Sequence, residues 1–210
     1  MASIVIFGGT GYAGSAIAAE AVRRGHSVTV VSPSDSAAPS GTAKRQGSIT
    51  DAALIDELAS GADVVLVATR AASGELSQAL PSLTGAAAKH GSRLGFMGGA
   101  GSLHVSEGGP RVVDGPDFPA AHKGEALAHA DVLAALRDTP EEVDWFYVSP
   151  GAAFGAYAPG EATGTYRIGG DILLTDADGN STISGADLAK AFVDEIEHPH
   201  HRRRRFTVAY

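Results

Sequence analysis

One glycine-rich segment, IVIFGGTGYAG at residues 4–14, constrains the fold of this chain most strongly. Gly9, Gly11 and Gly14 match the spacing G-x-G-x-x-G, and Gly8, Gly11 and Gly14 match the related G-x-x-G-x-x-G. An apolar run precedes the glycines, a helical pattern follows them, and a second apolar run begins at residue 27. Such glycines permit a tight turn, close approach of a pyrophosphate to the backbone, and close helix packing. The segment therefore predicts a βαβ unit that binds a dinucleotide, with a turn that serves packing alone as the alternative.

The rest of the chain alternates apolar runs of strand length with longer helical patterns. Strands are predicted at residues 3–7, 27–31, 63–68, 93–97 and 143–148. Helices are predicted at residues 12–24, 51–59, 74–90, 119–137 and 185–197. The third helix is expected to be interrupted near Pro81, and Thr50 and Ser184 are predicted N-caps. This alternation predicts an α/β fold, a Rossmann-type doubly wound and mostly parallel sheet.

Residues 151–180 differ in character, because Gly and Pro are spaced throughout and a short strand-like run, ILLTDADGNS, follows. This segment is expected to form loops and a hairpin above the sheet. No repeat or low-complexity linker separates it from the rest. We therefore expect a single domain, with a nucleotide-binding core at residues 1–150 and a small C-terminal substrate-side subregion at residues 151–210.

Composition narrows the classes of partner. The formal net charge of -8 argues against a nucleic-acid-binding surface, which needs clustered Lys and Arg. The absence of cysteine excludes disulfides, thiolate metal sites and cysteine nucleophiles. No apolar run approaches the roughly 18 residues that span a bilayer, and no basic segment precedes the first strand. We expect a cytoplasmic protein that binds a small-molecule substrate, without nucleic-acid or membrane partners, with a homodimer as the commonest closed assembly.

The end of the second strand bears on which nicotinamide cofactor binds. An acidic residue there would bind the ribose hydroxyls and favour NAD, whereas this chain continues with Ser32, Pro33, Ser34 and Asp35. Without an acid at the strand tip, Ser32 or Ser34 can hydrogen-bond a 2′-phosphate. NADP(H) is favoured, and NAD(H) stays open because Asp35 follows the proline.

Three further segments complete a resemblance that covers nearly the whole chain. They are RLGFMGGAGSL at 93–103, DFPAAHKGEALAHA at 117–130 and TDADGNSTISGADLAKAFVDEIE at 175–197. With the glycine turn, the chain resembles an atypical short-chain dehydrogenase/reductase of the NAD(P)H-binding, NmrA-like family, in the group labelled "putative NADH-flavin reductase". The resemblance is specific for fold and cofactor and much less so for substrate.

The resemblance implies where a bound nucleotide lies. It places the pyrophosphate at residues 8–14, adenine near Ser48 and Ile49, ribose beside Ala68 and Thr69, and nicotinamide beside residues 98–102 and Pro150. With the two strand-tip serines, the expected cofactor-binding residues are Gly8, Gly9, Thr10, Gly11, Tyr12, Ala13, Gly14, Ser32, Ser34, Ser48, Ile49, Ala68, Thr69, Gly98, Gly99 and Pro150.

The Tyr-x-x-x-Lys motif of many superfamily members is missing. None of the four lysines has a tyrosine four residues before it, and the family's tyrosine next to Lys123 is replaced by His122. A flavin or quinone yields a delocalised anion that solvent can protonate, so its reduction does not require that tyrosine. His122 is a candidate acid, Lys123 a candidate contact to ribose or substrate, and Ser102 a candidate substrate-orienting hydroxyl. For the first two the alternative is a solvated helix residue, and for Ser102 a capping or turn role.

Other features are interpreted as structural. DADGN at 176–180 lacks the glycine and glutamate positions of an EF-hand, so a hairpin turn is predicted. The histidines at 198, 200 and 201 are interpreted as a solvated connection, and His122 with His129 lacks a third ligand, so no metal is predicted. No G-x-S-x-G occurs, which excludes a nucleophile elbow.

Together these features favour an NAD(P)H-dependent oxidoreductase that passes a hydride to a flavin, quinone or similar conjugated acceptor. A redox sensor that binds NAD(P) without turnover is an alternative that fits the missing tyrosine equally well. An epimerase or ketone reductase that uses His122 as its proton donor is a third.

Overall fold

An eight-stranded sheet forms the centre of the computed structural model, which describes residues 1–210. Its strands are β1 (Ser3–Phe7), β2 (Ser27–Ser32), β3 (Ala43–Gln46), β4 (Val64–Val67), β5 (Arg93–Met97), β6 (Trp145–Pro150), β7 (Arg167–Gly169) and β8 (Arg204–Ala209). Their spatial order is β3-β2-β1-β4-β5-β6-β8-β7, and only β7 runs antiparallel to its neighbour. This order confirms the predicted Rossmann-type doubly wound sheet, because the chain reverses direction across the sheet between β1 and β4.

Helices cover both faces of the sheet. They are α1 (Tyr12–Arg23), α2 (Ala52–Ala59), α3 (Glu75–His90), α4 (Ala120–Arg137) and α5 (Gly185–Glu197), with a short 3-10 turn at Val112–Asp114. Residues of α2, α3 and α4 pack on one face in a core of 24 buried residues. Residues of α1 and α5 pack on the other face in a core of 20. The central strands are apolar throughout because both of their faces are buried. No helix combines the length and the apolar character that a membrane span requires.

Most predicted elements are confirmed within one or two residues, but two expectations about the helices are wrong. Pro81 does not interrupt α3, which continues through it. Asp51 rather than Thr50 caps α2, because its carboxylate accepts hydrogen bonds from two first-turn amides at 3.1 Å. The edge strand β3 was not predicted, since its sequence AKRQ is polar and mostly exposed. Ser184 caps α5 as predicted.

Residues 151–180 form the expected loops above the sheet, with β7 as their only strand. The run from Ile172 makes only an isolated bridge to His104 and is not a strand. At DADGN the Asp176 carboxylate accepts two backbone N–H groups, at 2.8 and 2.9 Å, and the Asp176 amide donates to the Asn180 carbonyl at 2.8 Å. DADGN is therefore a tight turn held by Asp176, without the paired strands of a hairpin.

Asp187 of α5 holds this loop segment against the body of the protein. Its buried carboxylate accepts hydrogen bonds from the Thr163 and Gly164 amides at 2.7 and 3.0 Å and from the Tyr210 hydroxyl at 2.5 Å. Burial alone would raise its pKa, but these donors lower it below the usual range. One ionised side chain thus joins the loop, α5 and the C-terminal residue.

Candidate functional site

The glycine turn joins β1 to α1 at the centre of the sheet. Gly8 adopts a φ of 78° and donates its N–H to the Val31 carbonyl at 3.0 Å, and Gly11 donates to the Gly8 carbonyl at 3.0 Å. A Cβ on Gly14 would lie 2.2 Å from the Gly8 oxygen. Because these are backbone atoms, the turn excludes a side chain at residue 14. This closeness is the helix packing that the glycine spacing predicts.

The N-terminus of α1 is open to an anion. Its N-cap, Gly11, gives the first-turn amides no side-chain hydrogen bond, so their N–H groups and the helix dipole favour a phosphate. Ala68 and Thr69, after β4, lie against the turn, because a Cβ on Gly8 would be 2.6 Å from the Ala68 oxygen. The Thr69 hydroxyl is buried and has no hydrogen-bond partner. An open helix end beside an orphaned hydroxyl fits the pyrophosphate and ribose of a dinucleotide.

A cluster of hydroxyl groups lies at the carboxyl end of β2. The buried Ser32 Oγ lies 3.3 Å from Thr10 Oγ1 and 3.3 Å from the Ser34 amide nitrogen. Beyond it, the Lys44 ammonium of β3 donates to the exposed Asp35 carboxylate at 2.6 Å, and this hydrogen bond lowers the pKa of Asp35. The structure thus places a cation, absent from the sequence-based expectations, against Asp35, the residue that follows Ser34.

Ser48 and Ile49 follow β3 on the same edge of the sheet. The Ser48 hydroxyl lies 2.8 Å from that of Thr50, and Ile49 is buried in the core under α2. Of the two residues expected near adenine, only Ser48 therefore presents a polar side chain.

A cavity of about 690 Å³ opens at the carboxyl ends of β5 and β6. Three of its residues, Phe118, Phe154 and Tyr157, are aromatic, and Tyr157 stacks on His122 with ring centroids 5.9 Å apart. The predicted nicotinamide-side residues Gly98, Gly99 and Pro150 also line it. The acidic and imidazole groups in its wall belong to Asp117, His122, Glu125 and His129. The cavity suits a flat, largely apolar molecule.

One face of α4 supplies three of those four groups. His122, Glu125 and His129 are three and four residues apart, which places them on one side of a helix. His122 is exposed at the start of the helix, whereas the His129 side chain is only 10% exposed. His129 Nε2 lies 3.1 Å from a Glu125 oxygen, and its Nδ1 is buried without a partner.

Glu125 also holds the loop that follows β4. Its two carboxylate oxygens accept hydrogen bonds from the Ala71 and Ala72 amides at 2.7 and 3.0 Å. Burial raises the pKa of Glu125, but hydrogen bonds from His129 and both amides outweigh it and lower the pKa to about 2. Sequence analysis did not identify this residue, although its spacing from His129 was visible in DFPAAHKGEALAHA.

The other two candidate catalytic residues lie apart from the cavity wall. The Ser102 hydroxyl accepts a hydrogen bond from the buried Arg205 guanidinium at 2.7 Å. Arg205 is held in turn by Asp171, 2.6 Å from its Nε. Lys123 is exposed and does not line the cavity. These contacts favour a structural role for Ser102, which fixes the loop after β5.

The buried tyrosine packed against α4 is not available as a proton donor to the cavity. Tyr147 is fully buried, donates to the His129 backbone carbonyl at 3.1 Å, and has a pKa raised above the usual range by burial. Its ring also occupies the space that a Cβ on Gly98 would need, with the nearest ring atom at 2.0 Å. Gly98 therefore lets this ring pack under the cavity floor.

A second depression, of about 560 Å³, lies between α1 and α5. Its charged residues, Glu20 and Arg23, neutralise each other at 2.7 Å. It is lined mainly by small residues and leaves no convergent polar group for a ligand. No group of three or more His, Cys, Asp or Glu side chains is arranged to hold a metal ion.

The chain is similar to known proteins along nearly its whole length. A family model described as NAD(P)H-binding matches residues 8–199. An uncharacterized protein of Bacillus subtilis, YwnB, is 38% identical over 98% of this chain and 97% of its own length. The crystal structure of a "putative exported protein" from Burkholderia pseudomallei is 40% identical, with a TM-score of 0.89 and complete coverage of both chains. That of a "putative NADH-flavin reductase" from Streptococcus pneumoniae is 33% identical, with a TM-score of 0.90, over 100% of this chain and 99% of its own.

Proposed function

Because the chain belongs to the NAD(P)H-binding family, we propose that it is an oxidoreductase that passes a hydride from NAD(P)H to a flavin, quinone or similar conjugated acceptor. The observation that carries the proposal is the aromatic-walled cavity at the carboxyl ends of β5 and β6, whose lining includes Gly98, Gly99 and Pro150, the residues expected beside the nicotinamide. The name of the pneumococcal relative agrees with a flavin acceptor.

The protein's own residues would bind and orient the two reactants. The open end of α1 would hold the pyrophosphate. The Thr69 hydroxyl has no hydrogen-bond partner in the protein, and the ribose would supply one. Phe154 and Tyr157 would pack on the faces of a planar acceptor and exclude water from it. A bound nicotinamide supplies the hydride, so close packing of the two rings is the main demand on the site.

The hydroxyl cluster at the end of β2 supports NADPH as the preferred cofactor. Ser32, Ser34 and Thr10 offer hydrogen bonds to a 2′-phosphate, and Lys44 offers a positive charge. Asp35 binds that lysine and is exposed, so it can move aside for a phosphate.

The first experiment measures the loss of reduced-nicotinamide absorbance with purified protein, NADPH or NADH, and FMN, riboflavin or a small quinone. Turnover with at least one acceptor, faster with NADPH, is expected. Binding of both oxidised and reduced cofactor with no acceptor reduced would overturn the proposal and favour a redox sensor.

A charge substitution tests the cofactor preference. Ser32→Asp places a carboxylate where the 2′-phosphate would bind, so kcat/KM for NADPH should fall at least about tenfold while that for NADH falls less. Ser60→Asp, at the exposed end of α2, is the matched control and should leave the NADPH/NADH ratio unchanged. If the ratio of kcat/KM for NADPH to that for NADH is unchanged in Ser32→Asp, the serine cluster does not bind the 2′-phosphate.

A further inference from the structure

The charges in the cavity wall bear on which acceptors the protein reduces. We propose that the cavity selects planar acceptors without a negative charge, so that riboflavin and uncharged quinones are reduced in preference to FMN and other anionic acceptors. The inference rests on the proposed function and narrows it to a substrate class. Its basis is a cavity lining that contains carboxylates but no lysine or arginine.

The lining of the cavity offers an anion no permanent positive charge. Asp117 and Glu125 are its acidic residues, and its other ionisable side chains belong to His122, His129 and Tyr157. A histidine carries a positive charge only when it is protonated. A phosphate or sulfonate on the acceptor would therefore meet two carboxylates and no ammonium or guanidinium group.

Glu125 is a fixed negative charge in this wall. Its side chain is 32% exposed, its oxygens accept hydrogen bonds from the Ala71 and Ala72 amides, and one oxygen lies 3.1 Å from His129 Nε2. Burial raises the pKa of Glu125, but hydrogen bonds from His129 and both amides lower it to about 2. The carboxylate is therefore ionised at neutral pH, and no lysine or arginine lies within salt-bridge distance of it.

Asp117 is the second carboxylate, and nearby cations do not neutralise it. Asp117 is exposed and lines the cavity, which places it at the mouth. Arg111 is already paired with Asp114 at 2.8 Å. Lys123 is exposed, does not line the cavity, and lies two positions from Glu125 on α4, so these two side chains do not face each other.

The aromatic part of the wall strengthens the selection. Phe118 and Phe154 can pack against a planar ring, but neither can donate a hydrogen bond to an anion. Moving an anion from water to such a surface costs free energy, and the lower polarity there increases its repulsion from a carboxylate. The net charge of -8 on the whole chain adds a weaker repulsion of the same sign. An uncharged ring avoids all of these costs.

Riboflavin and FMN form a matched pair for the test. They share one isoalloxazine ring, and FMN adds a phosphate that carries about two negative charges at pH 8. At pH 8 and low ionic strength, kcat/KM for riboflavin should be at least about tenfold above that for FMN, a difference of ~1.4 kcal/mol. In 0.5 M NaCl, where the Debye length is about 4 Å, the two values should agree within about threefold. Quenching of flavin fluorescence gives the Kd of each flavin independently of turnover and should show the same preference.

Substitutions at the mouth test whether charge sets the preference. Asp117→Asn should lower the ratio of kcat/KM for riboflavin to that for FMN by about threefold, and Asp117→Lys should lower it by about tenfold. Glu142→Gln is the matched control, because it removes one negative charge from an exposed residue before β6, at the opposite end of that strand from the cavity. Its ratio should equal that of the wild type.

The outcomes separate this inference from the proposed function. A wild-type protein that reduces FMN as efficiently as riboflavin would overturn the inference and leave the proposed function standing. A preference for riboflavin that persists in 0.5 M NaCl or in Asp117→Lys would also overturn it, because the size of the acceptor and not its charge would then decide. A protein that reduces none of riboflavin, FMN and menadione would refute the proposed function itself, and the inference with it.

Discussion

Gly14→Ala adds one methyl group where the glycine turn has no space for it. The new carbon would lie 2.2 Å from the Gly8 oxygen and 2.9 Å from Gly8 C and from Gly9 Cα. All three are backbone atoms, so no side-chain rotation relieves the contact. The helix and the turn must separate by about 1 Å to reach ordinary van der Waals distance.

The net cost follows from two opposing effects. Overpacking of this kind costs about 1–3 kcal/mol, and replacing a helical glycine by alanine returns about 0.5–1 kcal/mol. We expect the free energy of unfolding to fall by about 1–2 kcal/mol and Tm to fall by about 2–8 °C in a chain of this length. Gly85→Ala is the matched control, because Gly85 lies in α3 with no atom within 4 Å of its added Cβ. That variant should gain about 0.5–1 kcal/mol.

Cofactor binding should separate the two variants further. A displaced α1 moves its open N–H groups away from the pyrophosphate, so the Kd of Gly14→Ala for NADPH should rise about tenfold or more, a loss of ~1.4 kcal/mol. Gly85→Ala should bind as wild type. Thermal melts and fluorescence titrations of both proteins provide the measurements. If Gly14→Ala melts no lower than wild type and binds NADPH equally well, the role assigned to this close contact is refuted.

Three further substitutions test contacts around the site. The pKa of Glu125 is about 2 in the folded protein and 4.5 ordinarily, so its stabilising effect is complete above about pH 4.5 and disappears toward pH 2. Between pH 4.5 and pH 2, urea titrations should show a smaller loss of unfolding free energy for Glu125→Gln than for wild type. Asp187→Ala leaves the Thr163 and Gly164 amides without their acceptor, and the free energy of unfolding should fall by about 1–3 kcal/mol. Arg205→Met leaves the Ser102 hydroxyl without its donor, and the free energy of unfolding measured in urea should fall by about 1–3 kcal/mol. An unchanged midpoint of urea unfolding would show that this contact does not stabilise the fold.

The regular elements of the sheet were predictable because burial on both faces leaves a continuous apolar signal. β1 and β5 match the predicted strands residue for residue, as α5 matches its predicted helix. β3 was not predictable in this way, because an exposed edge strand is held by backbone hydrogen bonds to β2 and not by apolar side chains. Pro81 was misjudged because neighbouring helix turns and packing of α3 outweigh one lost hydrogen bond.

The candidate site likewise has a part that the sequence predicts and a part that it does not. The glycine turn is local, and each of its requirements falls within a few consecutive residues. The contact of Ser102 with Arg205 joins residues 103 positions apart, and that of Glu125 with Ala71 joins residues 54 apart. No spacing rule predicts such pairs, so Ser102 looked like a substrate contact and Glu125 was not noticed.

By itself, the sequence determined the βαβ unit and its glycine turn, because these depend on short-range spacing of glycines and apolar residues. The resemblance to the family rested on four segments spread along the chain. Only the tertiary structure decided which groups share the cavity, because its walls come from segments that follow β5 and β6 and from one face of α4. It also decided that His129, and not only His122, lines the cavity. Residues distant in sequence meet there because parallel strands bring their carboxyl ends, and the loops that follow them, to one edge of the sheet.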